Sequence, residues 1–283
     1  MQNWRSPELG HAGVLAPGRW RRLRAAGWLV LLFVVVSLLL YPGLFPLPGD
    51  RLAQRAVGCV LAYLAYAAAV RWGERRSPSE IALGPLPREL ALGLAIGAAN
   101  FLLVFAILRL IGAYSLERGA WTDWPADIGW AVVIGFGEEL LLRLVVFRLL
   151  MRAAGLRAAL ILSALLFGLL HLANPNATLA AAVAISLESG LMLAAFYLLT
   201  GRVWMAVGVH IAWNFVQGPI FGARVSGVVE RGSLFTSAPD PAVPALVTGG
   251  PFGPEASLPS MIVGVAIFAA LMREVARQRR RGT

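Results

Sequence analysis

The chain has 283 residues, 58% of them hydrophobic and only 14% charged, with a mean hydropathy of +0.72. A soluble domain carries roughly 45–50% apolar and about 25% charged residues, so this composition excludes a soluble globular protein and requires a bilayer. The net charge of +10 comes entirely from arginine, because the chain contains no lysine; the arginines flank apolar runs, which makes membrane lipids rather than nucleic acid their expected partner.

A basic chain without lysine points to a GC-rich genome and a bacterial source. Cys59 is the single cysteine, which excludes an intrachain disulfide and a cysteine metal cluster. It lies in an apolar run and reads as a small packing residue.

Taken from the N-terminus, a polar tail over 1–26 carries Arg19, Arg21, Arg22 and Arg24 ahead of the first apolar span, 27–40. The exit Tyr41-Pro42-Gly43 offers no small-residue cleavage pattern, so the span reads as an uncleaved helix. Further spans are expected at 52–71, 89–111, 126–150, 157–173, 179–199, 203–221 and 258–272, followed by a basic tail over 273–283. The expected fold is all-α, a polytopic transmembrane helix bundle of about eight spans of roughly 20 residues each, with its active site inside the bundle.

The arginines also predict orientation. The N-terminal tail is basic, as are the second connection (Arg71, Arg75, Arg76, Arg88), the fourth (Arg152, Arg157), the sixth (Arg202) and the C-terminal tail. The intervening connections, 41–50, 114–124 and 174–178, are poor in arginine. An even number of spans with both termini cytoplasmic, in a cell inner membrane, satisfies every connection except the last external one, which holds Arg224 and Arg231. That segment, 217–259, is long and rich in Gly and Pro, and it reads either as a lid or as a flexible connection.

Charged residues are costly inside a bilayer, at least about 2.5–3.5 kcal/mol on insertion scales, and so mark function. The fourth span holds Glu138-Glu139 and Arg143. At about 100° per residue, Glu139 and Arg143 share a face and can pair, which leaves Glu138 pointing elsewhere without a partner. Service of both acids in structural ion pairs, with Arg109 or Arg148, is the alternative. The fifth span holds Phe167 and His171, and the seventh His210 and Asn214, each pair spaced i,i+4. His11 lies in the polar tail, outside this pattern. Glu188 in the sixth span has no spaced polar partner and reads as an ion-pair or hydrogen-bond partner. A Glu, two His and an Asn on three helices meet only through bundle packing, as a buried site does. The motif-bearing core is expected over 126–221.

Glu138-Glu139 with Arg143, then Phe167 with His171, then His210 with Asn214 resemble, in order, the three motifs of the CAAX-protease and bacteriocin-processing family. That family includes the type II CAAX prenyl endopeptidases. Leu142 and Leu144 depart from the Phe and Gly that many members carry on either side of the motif arginine; both positions concern packing. The resemblance implies an intramembrane endopeptidase acting on a membrane-associated protein or peptide. It implies catalytic roles for Glu138, His171, His210 and Asn214, supported by Glu139, Arg143 and Phe167.

Read from chemistry, Glu138 is the candidate general base for a water, His171 a holder of that water, and His210 with Asn214 the donors to the oxyanion. No cofactor is favoured. The alternative is a zinc enzyme with His171, His210 and Glu138 as ligands, although catalytic zinc usually takes three protein ligands and no His-Glu-x-x-His helix is present. Two non-protease readings also stand: a silent scaffold or immunity protein, and a proton-coupled transporter. Loss of activity on changing Glu138 tests the first, and proton-driven flux in proteoliposomes the second.

Overall fold

The computed structural model describes residues 7–41, 50–229 and 232–281; Pro42-Gly43, most of the 41–50 connection and Arg231 lie outside them. Its architecture is a helical bundle. The first helices are α1 (Arg21–Leu40), α2 (Arg51–Ala68, extended by a π-helical turn Ala69–Gly73) and α3 (Leu86–Leu110). Next come α4 (Trp124–Glu139), a π-helical stretch Leu140–Phe147 and α5 (Arg148–Leu170). Then follow α6 (Leu179–Ile185), a π turn Ser186–Gly190, α7 (Leu191–Thr200) and α8 (Trp204–Phe215) with a π turn Val216–Ile220. A short α9 (Ala245–Thr248) precedes the last helix, α10 (Leu258–Arg281).

Among the described residues, six helical courses are long and apolar enough to cross a membrane. One of them, Trp124–Ala173, is 50 residues long, more than two crossings require. It breaks inside α5 at Gly155, whose φ of 83° only glycine adopts freely, so 124–154 and 156–173 are separate spans. The twelve residues of α8 with their five-residue extension form a shorter helix, buried in the bundle. The chain is an integral membrane protein.

Local signals explain the helix ends. Asp50 caps α2 by accepting from the Ala53 amide at 2.8 Å, and Thr178 caps α6 by accepting from the Ala181 amide at 3.1 Å. Gly201, at φ 67°, ends α7 in the left-handed conformation. The course Leu179–Thr200 is the most enclosed of the six, whereas Leu258–Arg281 turns most of its surface outward. Exposed Val30, Leu61, Leu103, Leu165 and Ile262 belong to the peripheral faces, where lipid replaces a protein partner.

The helix that carries His210 and Asn214 is held by an unusually close approach. A Cβ at Gly93 would stand 2.3 Å from the Met205 carbonyl, and one at Gly97 2.3 Å from the Val209 carbonyl. With Gly208 facing back, the backbones of α3 and α8 touch, as small residues allow in membranes.

Several arginines have partners other than lipid. Arg148, fully buried, donates to both oxygens of Glu74 at 2.9 and 2.6 Å. Arg76 reaches Glu74 at 2.8 Å and Glu80 at 2.6 Å, Trp28 donates to Glu74 at 3.0 Å, and Tyr66 donates to Glu80. Arg202 pairs with Glu89, and Arg109 donates to the Tyr114 carbonyl. Arg76 and Arg202, taken from sequence as headgroup-facing charges, are therefore locks between elements, and neither Arg109 nor Arg148 serves Glu138 or Glu139. The buried arginines among them, Arg76, Arg148 and Arg202, are each compensated by a carboxylate, and removing one partner of such a pair costs about 3–5 kcal/mol.

The connections fall at two ends. Arg152 donates to the Gly10 and Leu15 carbonyls, and Arg76 lies 3.8 Å from Glu8, which places the N-terminal tail with the second and fourth connections. At the other end, β1 (Glu117–Arg118) pairs antiparallel with β2 (Phe235–Thr236), and the Tyr114 hydroxyl donates to the Thr248 carbonyl at 2.9 Å. The long 217–259 segment is thus tied to the third connection. Its turns Gly250–Phe252 and Pro254–Ala256 are packed inward, with Phe252, Glu255 and Ser257 buried.

Candidate active site

Glu138 and Glu139 end α4 where the helix widens into its π-helical stretch, a distortion found often at functional sites. Glu139 is fully buried; its Oε2 accepts from Arg143 Nε at 2.8 Å and its Oε1 accepts from His210 Nδ1 at 3.0 Å. The i,i+4 pair expected from the sequence is present. Glu139 does more than pair, because it also fixes His210, 71 residues away. An ionised carboxylate only accepts, so Nδ1 carries the proton and Nε2 turns to Glu138, whose Oε2 is 3.9 Å away. Donation from Nε2 requires the doubly protonated ring, which has a carboxylate facing each nitrogen.

Phe167 is the hub of the second motif. The Arg143 guanidinium sits 5.1 Å from its ring centre, the His171 ring 4.8 Å and the His210 ring 6.2 Å, both histidines in edge-on contact. Arg143 Nη1 and Nη2 are buried without a hydrogen-bond partner, so the aromatic face and Glu139 carry the cation. His171 Nδ1 donates to the Phe167 carbonyl at 2.8 Å, which leaves Nε2 as its free ring nitrogen.

His171, His210 and Asn214 line one pocket, together with Phe167 and Trp213. Glu138 is not among the lining residues; its side chain, 24% exposed, stands beside His210. Two acids complete the surroundings. Glu188 is a hydrogen-bond partner, one of the two roles expected of it: Ser189 donates to one of its oxygens, and among the described residues the other oxygen has no hydrogen-bond partner and no cation pairs with it.

Glu255 lines the pocket with Ser189 and Ser226, and sequence reasoning missed it. It lay unremarked in a Gly/Pro-rich loop, and only an isolated acid among small apolar residues marked it. Burial pushes the Glu255 carboxyl up from the ordinary carboxylate range, against the pull of Ser226, the His171 imidazole and Gln217. Among the described residues, no three His, Cys, Asp or Glu side chains are grouped so as to hold a metal ion.

Residues 120–216 match the model of a protein family described as type II CAAX prenyl endopeptidase Rce1-like. The matched stretch contains all three motifs and ends before the 217–259 loop is formed. No curated protein and no solved structure matches the chain significantly. Over that stretch the chain is similar to a family of membrane endopeptidases.

Proposed function

From the match of 120–216 to the Rce1-like family and the two motif carboxylates that face His210, we propose that this chain is an intramembrane endopeptidase that hydrolyses membrane-associated protein or peptide substrates by a metal-free, glutamate-activated mechanism. The observation that carries the reading is His210 held between two carboxylates, with Nδ1 on Glu139 and Nε2 facing Glu138. Glu138, free of any arginine, takes a proton from the attacking water as its oxygen adds to the scissile carbonyl, and returns it to the leaving amine. The free Nε2 of His171 holds the water. Asn214, which carries no charge to desolvate, and the protonated His210 donate to the oxyanion. Both termini lie in the cytoplasm of a cell whose inner membrane holds the chain, and lipid headgroups meet the terminal arginines.

The test is cleavage of internally quenched peptides by the purified chain in liposomes, with a prenylated CAAX peptide and an unprenylated apolar peptide offered separately. Asn214→Ala is expected to lower kcat by roughly 10²–10³-fold with little change in KM, because an oxyanion donor acts in the transition state alone. An Asn214→Ala enzyme whose only change is a raised KM would assign Asn214 to substrate binding instead.

A further inference from the structure

We propose that Glu255, carried into the pocket by the 217–259 loop, is a positioning residue for His171, so that the loop completes the active site rather than merely covering it. The proposal rests on the protease reading above but concerns a residue outside the stretch matched by the family, 120–216. Glu255 and His171 line the same pocket.

The carboxylate is held with more care than a loop acid needs. The Ser226 amide and hydroxyl both donate to Oε1, at 2.7 and 2.8 Å, and Gln217 Nε2 donates to Oε2 at 2.8 Å. Gln217 is itself oriented, because the same nitrogen donates to the Arg224 carbonyl at 2.6 Å. Ser226 sits at φ 49°, a conformation uncommon for a residue with a side chain, and there its amide points at Glu255. Glu255 is 3% exposed, and one acceptor position on Oε2 remains for the pocket.

His171 needs such a partner. Its Nδ1 proton is committed to a backbone carbonyl, so whatever it does in the site it does through Nε2. The donors from Ser226 and Gln217 favour the charged carboxyl against its burial, and that negative charge across the pocket makes His171 Nε2 a stronger acceptor for the water it holds. It also compensates positive charge on the ring during turnover. The carboxylates of Glu138 and Glu139 are directed at His210, and Glu188 is occupied in part by Ser189, which leaves Glu255 as the acid that acts on His171.

The experiment compares Glu255→Gln, Glu255→Asp and Tyr114→Phe in liposomes with the quenched peptide that the wild-type chain cleaves, alongside the thermal midpoint of each protein. Glu255→Gln keeps the shape and removes the charge. Its kcat is expected to fall about 10–100-fold with KM unchanged, the range for removing a partner that orients a functional imidazole. Glu255→Asp recovers part of that loss. Tyr114→Phe removes a hydrogen bond that ties the loop to the third connection but leaves Glu255 and its partners in place, and is expected to stay within about 3-fold of wild type in kcat. Wild-type kcat in Glu255→Gln overturns the proposal, as does a parallel loss of activity and thermal midpoint in Glu255→Gln and Tyr114→Phe, which would make Glu255 a latch for the loop. A wild-type chain that cleaves neither peptide overturns the protease reading and this proposal together, whereas the other two failures leave the protease reading standing.

Discussion

Glu138→Gln is expected to abolish peptide cleavage while leaving the protein folded. The substitution preserves side-chain length and volume, and no arginine is orphaned by it, because Glu138 makes no ion pair with a guanidinium. What disappears is the only site at Glu138 that can accept a proton from water. General-base contributions of this kind are worth roughly 10²–10⁴-fold, and the rate should fall by at least that much. Size-exclusion behaviour and the thermal midpoint in detergent should match wild type. Retention of even a tenth of the wild-type kcat would remove Glu138 from the mechanism.

Glu139→Gln is expected to lose both stability and activity, and the reason lies in its two partners. The carboxylate accepts from Arg143 on one oxygen and from His210 on the other. An amide has one oxygen and one nitrogen, so it can accept from only one of them and must turn a donor on the second. If the oxygen goes to His210, Arg143 is left as a buried cation with no carboxylate, at a cost of about 3–5 kcal/mol. If it goes to Arg143, the amide donates to His210 Nδ1 and forces the other tautomer, which exchanges the roles of the two ring nitrogens. An orienting carboxylate of this kind is worth about 10⁴-fold in a Ser-His-Asp triad. The expected result is therefore a lowered thermal midpoint together with a kcat reduced by about 10²–10⁴-fold. A variant that melts earlier but turns over normally would make Glu139 a structural partner of Arg143 alone, as the local spacing by itself implies.

That contrast shows where the sequence is legible and where it is not. Helical periodicity places Glu139 beside Arg143 and Phe167 beside His171, because neighbours at i,i+4 follow from the turn of one helix. Apolar length locates the spans for the same local reason, and even the division of Trp124–Ala173 into two agrees with a glycine that ends one helix and begins the next. Contacts between helices are another matter. The bond from His210 to Glu139 depends on how α4 and α8 pack, and the glycines of α3 that seat α8 gave no sign of their role without that packing.

The buried network of Glu74, Arg76, Glu80 and Arg148 was hidden for a different reason. Its arginines look like headgroup anchors until the acids that meet them are placed. Glu255 was hidden most deeply, since it reaches the pocket from a loop with no periodicity to betray a face. The position of Glu138 could be read only in part: its freedom from Arg143 follows from the helix, but its place beside His210 rather than on the pocket lining does not.

The central claim is that these residues activate water without a metal, and metal dependence of the purified enzyme tests it most directly. The wild-type chain, reconstituted in liposomes and treated exhaustively with a membrane-permeant chelator, should contain metal well below one equivalent per chain by elemental analysis and should cleave its quenched peptide at the untreated rate. One tightly bound zinc per chain, lost together with activity on chelation and in His171→Ala or His210→Ala, with turnover restored only by added Zn²⁺, would contradict the account and recast both histidines as ligands.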